Sequence, residues 1–279
     1  MTHAFPKIRH FLLEVFLVIT TLLIYGIPFL FMVLNAMKDR RSAGLMRLSW
    51  PEEIHLWENL VRVITERNFL VLTSFRNSIA ITVGTLLILT VVCSMAGYVL
   101  QRRNNRFVTI VSYVFLTGLM LPPSILPTIW VLNLLGLFRS LTGMILVQVV
   151  LRTPFTIMLY RSFVAAIPQQ LEEAAIIDGA NSHNIFLRVI FPLLKPVTVT
   201  SIILNSVVVF NDFVHPLYFL PGARNATVQL TLYSFIGQYS SSWNLLFTNA
   251  LFITLPLLVL FIIFNRHIVE GITAGAIKG

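Results

Sequence analysis

The stretch Pro168-Gln169-Gln170-Leu171-Glu172-Glu173-Ala174-Ala175-Ile176-Ile177-Asp178-Gly179-Ala180-Asn181 holds the most informative residue pattern in the chain. Proline suits the first turn of a helix, where its missing N–H is no loss. Glu172 and Glu173 then fall near the positive N-terminal end of that helix. Ala174 and Ala175 favour helix and leave a low, smooth surface. Gly179 can take the left-handed conformation that ends a helix. Asn181 or Ser182 can cap a second one. The spacing predicts a short helix, a sharp turn, and a second helix that leads into an apolar span and stops at Pro192. The work of such a segment is mechanical. A surface helix with small side chains can enter a groove on a partner, and a rigid turn at Gly179 passes push or pull to the adjoining spans. An ordinary amphipathic loop is the competing reading of these residues alone.

Other polar residues sit within apolar runs. Asn211 and Asp212 lie in or at the edge of one, and an ionisable group at membrane depth is a functional candidate by default. One reading is a polar wall of a translocation path; the other is a structural hydrogen bond that fixes helix packing. Asn205, Gln148 and Arg152 pose the same choice more weakly. Metal chemistry has no support. His183 and His215 have no second histidine or cysteine at ligand spacing. Cys93 is the single cysteine, so no internal disulfide is available and compartment is not indicated. No Gly-x-x-x-x-Gly-Lys-Ser/Thr loop, Rossmann glycine spacing or serine elbow occurs. The chain is therefore expected to be non-catalytic, to hold no cofactor, and to draw conformational energy from a partner.

The elements that position these residues are expected to lie in lipid. Hydrophobic residues make up 57% of the 279 and charged residues 11%, with a mean hydropathy of +0.85. Soluble domains carry about 25% charged residues, so this chain is too poor in charge to solvate a surface in water. Six stretches meet the requirement of roughly 20 apolar residues for a membrane span: about 11–36, 77–100, 107–132, 141–163, 197–220 and 246–264. The expected fold is an all-α membrane protein, one transmembrane domain over 1–279, with a cytoplasmic loop at 164–196 between spans four and five. Pro28, Pro122, Pro123 and Pro127 predict kinks inside spans. Lys7 and Arg9 precede an apolar run too long for a signal peptide, which predicts a retained first span.

The net charge of +9 admits nucleic-acid binding, but the basic residues are spread through loops and flanks rather than clustered with aromatics. Membrane anchoring explains them better. Basic residues in the short loops lean toward both termini being cytoplasmic, although Lys38, Arg40 and Arg41 count against that orientation.

The segment resembles the conserved cytoplasmic loop of ABC-importer permeases, whose pattern is Glu-Ala-Ala, three residues, Gly, nine residues, Ile-x-Leu-Pro. Glu173-Ala174-Ala175 and Gly179 fall on it, and Val189-Ile190-Phe191-Pro192 complete it with Val189 and Phe191 replacing Ile and Leu. Asp178-Gly179-Ala180 resembles the carbohydrate-uptake branch. So do Asn77-Ser78, Ala96-Gly97-Tyr98, and Phe210-Asn211-Asp212-Phe213 followed by Pro216-Leu217, with Phe210 where that branch has Trp. The tail from Glu270 to Gly279 resembles the ending of the maltose-permease G-type subunit.

The resemblance implies a permease in the bacterial cytoplasmic (inner) membrane, surrounded by lipid and passing a sugar or related solute. It implies a heterodimer with a second permease subunit, two cytoplasmic ATPase subunits that hold ATP and Mg, and an extracytoplasmic solute-binding protein. Nucleic acid has no place in it. It also implies that Glu173 contacts the ATPase and Gly179 shapes the turn. Glu172, Ala174, Ala175, Asp178 and Pro192 complete the coupling segment, and the tail lies close to the nucleotide-binding dimer. A secondary transporter or channel is the competing class, and it often shows inverted repeats and intramembrane charge pairs. A purely structural membrane scaffold would lack dependence on a solute-binding protein.

Overall fold

The computed structural model describes the backbone of residues 4–237 and 241–276, and the side chains of 13–237, 241–259 and 261–262. Among the described residues every regular element is helical. The chain divides into two units, residues 1–72 with 231–255, and residues 73–230 with 256–279.

The first unit begins with α1 (Ala4–Ala36), which holds Pro28 in its interior. Along its apolar length Leu13–Ala36 burial begins only at Leu34. Leu17, Val18, Leu22 and Ile24 are exposed along it, which is free of penalty when the surrounding solvent is hydrocarbon. The last carbonyls of a helix need partners. Asn59 Nδ2 donates to the carbonyls of Ala36 and Lys38, each at 2.9 Å, and Thr248 Oγ1 donates to Ala36 at 3.2 Å. Asn244 Nδ2 donates to Asn59 Oδ1 at 2.7 Å. A short α2 (Arg40–Gly44) is capped by Asp39, whose carboxylate accepts from the amides of Arg41 and Ser42.

The long α3 (Leu56–Arg102) leaves helical geometry at Glu66, and Arg67, Asn68 and Phe69 follow with φ of 48°, 57° and 59°. Three successive non-glycine residues in the left-handed region are uncommon. The stretch 37–76, between the first two expected spans, thus holds α2 and the first part of α3. The expected second span, 77–100, is the later part of α3.

In the second unit, α3 is followed by α4 (Arg106–Met120), α5 (Ile125–Leu134) and α6 (Leu141–Ala166). After these come α7 (Gln170–Ile177), α8 (Ser182–Asn184), a π-helical turn at Ile185–Ile190, and α9 (Phe191–Leu193). Then α10 (Lys195–Phe210) and α11 (Val214–Phe219) follow. A 3-10 segment, Val228–Phe235, and α12 (Trp243–Ala276) come last, with residues 231–255 belonging to the first unit.

One core joins Leu89, Cys93, Ile157, Tyr160, Val164, Phe186, Ile190 and Val197. A second joins Ile81, Met144, Val147, Val209 and Phe219. Gly97 lets α3 and α6 approach: an added Cβ there would lie 2.8 Å from Tyr160 Cβ and 3.1 Å from the Arg161 nitrogen.

Several expectations are refined. The stretch 107–132 is two helices, α4 and α5, because Pro122 and Pro123 disfavour helix in the residues before them. Pro127 falls in the first turn of α5, where it is tolerated. The stretch 197–220 breaks at Asn211–Phe213 between α10 and α11. The helix expected to stop at Pro192 continues through it. The π turn bonds Phe191 N–H to the Phe186 carbonyl, and Pro192 sits in the opening turn of α9, where its missing donor costs nothing. The chain turns instead between Leu193 and Lys195, where the two helical stretches meet at 69° over the fully buried Leu194. Among the described residues three helices are long and apolar enough to cross a membrane, or four if that bent pair is one span.

Candidate functional site

The loop between α6 and α10 is built from backbone upward. The Gln169 carbonyl accepts from Glu172 N at 2.9 Å and Glu173 N at 3.1 Å. Helix α7 thus starts two residues after Pro168, with both glutamates in its first turn. It ends where Ala180 N donates to the Ala175 carbonyl and Gly179 N to the Ile176 carbonyl, each at 2.9 Å. These two bonds define a Schellman end, with Gly179 at φ +82°. A Cβ added at Gly179 would meet nothing within 4 Å, so the position demands glycine for its conformation rather than its size. Of the two capping candidates Asn181 is used, its Oδ1 accepting from Asn184 N at 2.9 Å.

The adjacent glutamates have opposite surroundings. Glu172 turns inward. Arg102 Nε donates to its Oε1 at 2.6 Å, and the Tyr98 hydroxyl donates to its Oε2 at 2.7 Å. Ala175, one turn on, packs against the larger core. Glu173, Ala174 and Asp178 are exposed, and Ile176 and Ile177 are 61% and 85% exposed. The outward side of α7 thus carries two adjacent exposed isoleucines beside a carboxylate. Pro192 is also exposed, away from α7 in sequence and on the turn before the bend.

Sequence reasoning named Glu172 and Glu173 together and missed the division between them. Ala96-Gly97-Tyr98 and the basic run from Arg102 were visible, but no local pattern pairs residues about 70 positions apart.

The polar residues of α6 form a seam. Gln148, Arg152, Thr156 and Tyr160 follow at intervals of four, on one face of the helix. Gln148 Nε2 donates to the Asp212 carboxylate. That carboxylate also accepts from His215 Nδ1 at 2.8 Å and His215 N at 3.3 Å. Asn205 Nδ2 donates to Thr156 Oγ1 at 3.3 Å and to the Ser201 carbonyl at 2.9 Å. The Tyr160 hydroxyl donates to Thr198 Oγ1 at 3.1 Å. Asn211 is separate, accepting from Gln229 Nε2 at 3.0 Å.

Of the five path candidates, then, the structure joins Gln148 to Asp212, while Asn205 and Asn211 bond to other partners. Gln148 Oε1 and Arg152 Nε are buried without a hydrogen-bond partner among the described residues, so these two side chains, one turn apart on α6, have polar capacity left over. Asn205 has its amide protons satisfied within the packing.

No set of three or more His, Cys, Asp or Glu among the described residues is grouped to hold a metal ion. The tail resemblance falls on residues whose side chains, from Glu270 onward, lie outside the described ones, as do Ile277, Lys278 and Gly279 entirely.

Known proteins are similar to this chain in sequence and in fold. The family described as "binding-protein-dependent transport system inner membrane component" matches residues 90–274. The chain is 31% identical over 256 residues to YurM, a probable ABC transporter permease protein of Bacillus subtilis, covering 90% of this chain and 83% of that one. It is 32% identical over 209 residues to MelC of the same organism, a melibiose/raffinose/stachyose import permease, covering 74% and 76%. The fold matches a chain in the crystal structure of a bacterial ABC transporter involved in alginate import. The TM-score is 0.83 at 19% identity, over 95% of this chain and 98% of that one. The chain accordingly belongs to the family of binding-protein-dependent transport system inner membrane components, the membrane permease subunits of ABC importers, whose ATPase is a separate chain.

Proposed function

We propose that this permease forms half of the translocation path for a sugar or oligosaccharide delivered by an extracytoplasmic solute-binding protein, and that a cytoplasmic ATPase drives it through α7. The observation that carries the coupling role is the two-sided character of α7. Glu172 and Ala175 face the protein's own core, while Glu173, Ala174, Ile176 and Ile177 are presented outward. Glu173 contacts the ATPase in this account, the two isoleucines fill its apolar cleft, and Asp178 and Gly179 set the angle at which the helix leaves. Pro192 belongs to the turn that hands the motion to α10. The solute class is supported by the sugar import permease among the relatives.

The proposed assembly has a second permease subunit, two ATPase subunits that hold ATP and Mg, and six spans in the cytoplasmic membrane with both termini cytoplasmic. The spans are α1, the later part of α3, α4 with α5, α6, α10 with α11, and α12. In this account Gln148 and Asp212 line the path with Arg152, flanked by Asn205 and Asn211. The unfilled hydrogen-bond capacity at Gln148 and Arg152 supports that role, since a hydroxyl-rich solute supplies donors and acceptors at once.

The test is uptake of labelled oligosaccharides into proteoliposomes holding the full complex, with and without ATP and the solute-binding protein. Uptake that needs both is the expected result. Uptake driven by an ion gradient without ATP, or normal uptake in a Gly179→Val complex, contradicts the account.

A further inference from the structure

The coupling surface and the transmembrane bundle need a connection stiff enough to carry force, and the structure holds one outside the loop itself. Arg102 is the last residue of α3. Its guanidinium bridges two parts of the chain, with Nε donating to Glu172 Oε1 at 2.6 Å and Nη2 to the Ile167 carbonyl at 2.8 Å. Ile167 is the residue at which α6 ends. One side chain thus ties the end of α3 to the end of α6 and to the first turn of α7. Tyr98, one turn earlier on α3, donates to the other oxygen of Glu172 at 2.7 Å. The Tyr98 ring packs on Phe186 in the π turn, at a centroid distance of 5.6 Å.

The side chains of Arg102 and Glu172 are 12% and 14% exposed, so the pair is shielded from water and little screened by salt. The neighbouring Arg103 and Glu173 are exposed and form no ion pair among the described residues. Position, not the local richness in charge, selects the partners.

We infer that Arg102, Glu172 and Tyr98 form a positioning latch that transmits the movement of α7 to α3, so that Glu172 acts toward the permease core while Glu173 acts toward the ATPase. The latch explains why two adjacent glutamates have different environments on one short helix. A shielded ion pair contributes little net stability over an apolar replacement. A planar guanidinium that reaches a carboxylate and a carbonyl at once does fix geometry. The inference rests on the proposed role of α7 as the ATPase-docking helix.

The experiment uses the full complex of both permeases, the ATPase subunits and the solute-binding protein in proteoliposomes. It measures solute taken up per ATP hydrolysed for wild type, Glu172→Gln, Arg102→Gln, the double variant and Tyr98→Phe. Glu172→Gln is isosteric and Tyr98→Phe removes only a hydroxyl, so both report even where Arg102→Gln assembles poorly.

The latch predicts that uptake per ATP falls about fivefold or more in Glu172→Gln and Arg102→Gln, the scale of ordinary coupling between sites. The double variant is expected to be no worse than the worse single, because one connection is lost in all three. ATPase subunits still co-purify. An unchanged ratio in Glu172→Gln, even with a lowered melting temperature, overturns the latch and leaves a structural staple. Additive losses in the double variant overturn it as well, because the two residues then act independently. Absence of co-purifying ATPase from the wild-type complex refutes the docking role itself, and that result is read before any substitution is made.

Discussion

At the scale of single residues, charge and conformation have distinguishable consequences. Gly179 takes φ +82° in open space. Gly179→Ala is expected to cost about 1–2 kcal/mol through left-handed backbone strain alone, and Gly179→Val more, since β-branched residues are genuine outliers there. The check is uptake per ATP against protein yield: coupling falls in the order Gly, Ala, Val while insertion persists. Gly97 fails for the opposite reason. Its place is short of room, not conformationally demanding, so Gly97→Leu must push α3 and α6 apart. That variant is expected to yield little assembled protein by size-exclusion chromatography of detergent extracts.

Asp39 gives a pH signature. The side chain of Ser42, foremost, and the Ser42 and Arg41 amides hold its carboxyl below the usual aspartate range. The folded value is lower than the unfolded one. Its stabilising contribution is therefore complete above the ordinary aspartate value and is lost as pH falls through the lowered one. The difference in melting temperature between wild type and Asp39→Ala is accordingly expected to be full near neutrality and to close on acidification below that range.

At the scale of elements, the loop between α6 and α10 was the most legible part of the sequence. Its helix, its glycine turn and the Asn181 cap follow from short-range rules that act within four or five residues. Removing the cap by Asn181→Ala is expected to cost about 1 kcal/mol and to speed hydrogen exchange in Ser182–Asn184 without altering α7. What the sequence did not reveal depends on distant partners. The pairing of Glu172 with Arg102 joins residues about 70 apart, and hydropathy carries no trace of it.

The passage through Pro192 was hidden for another reason. A proline reads as a helix stop unless the preceding turn opens into a π bond pattern, and Ile185-Phe186-Leu187-Arg188-Val189-Ile190 has no local signal for that. Likewise Asn211-Asp212 reads as polar residues within one span, whereas the break between α10 and α11 lets Asp212 turn to Gln148 and His215.

At the scale of the whole molecule, composition alone required a lipid setting, and the matched family agrees with it. The helix lengths do not map simply onto six spans. Prolines and the break at Asn211–Phe213 divide two of the expected spans into shorter helices, as is tolerated where neighbouring helices or a water-lined path satisfy the freed backbone groups. A permease that moves between two states needs such joints, and it needs a ligand with different contacts in each state. In the proposed account the ATPase supplies those contacts through the exposed face of α7.

That claim is tested most directly by proximity. Cys93 is the only cysteine and is buried, so a Cys93→Ser background makes Ile177→Cys the single thiol of the chain. A thiol-linked photo-crosslinker at position 177, activated in native membranes, is predicted to join this chain to the ATPase subunit with a yield that changes when ATP is added. Adducts only to lipid, or to no protein at all, in membranes that still import solute would contradict the account.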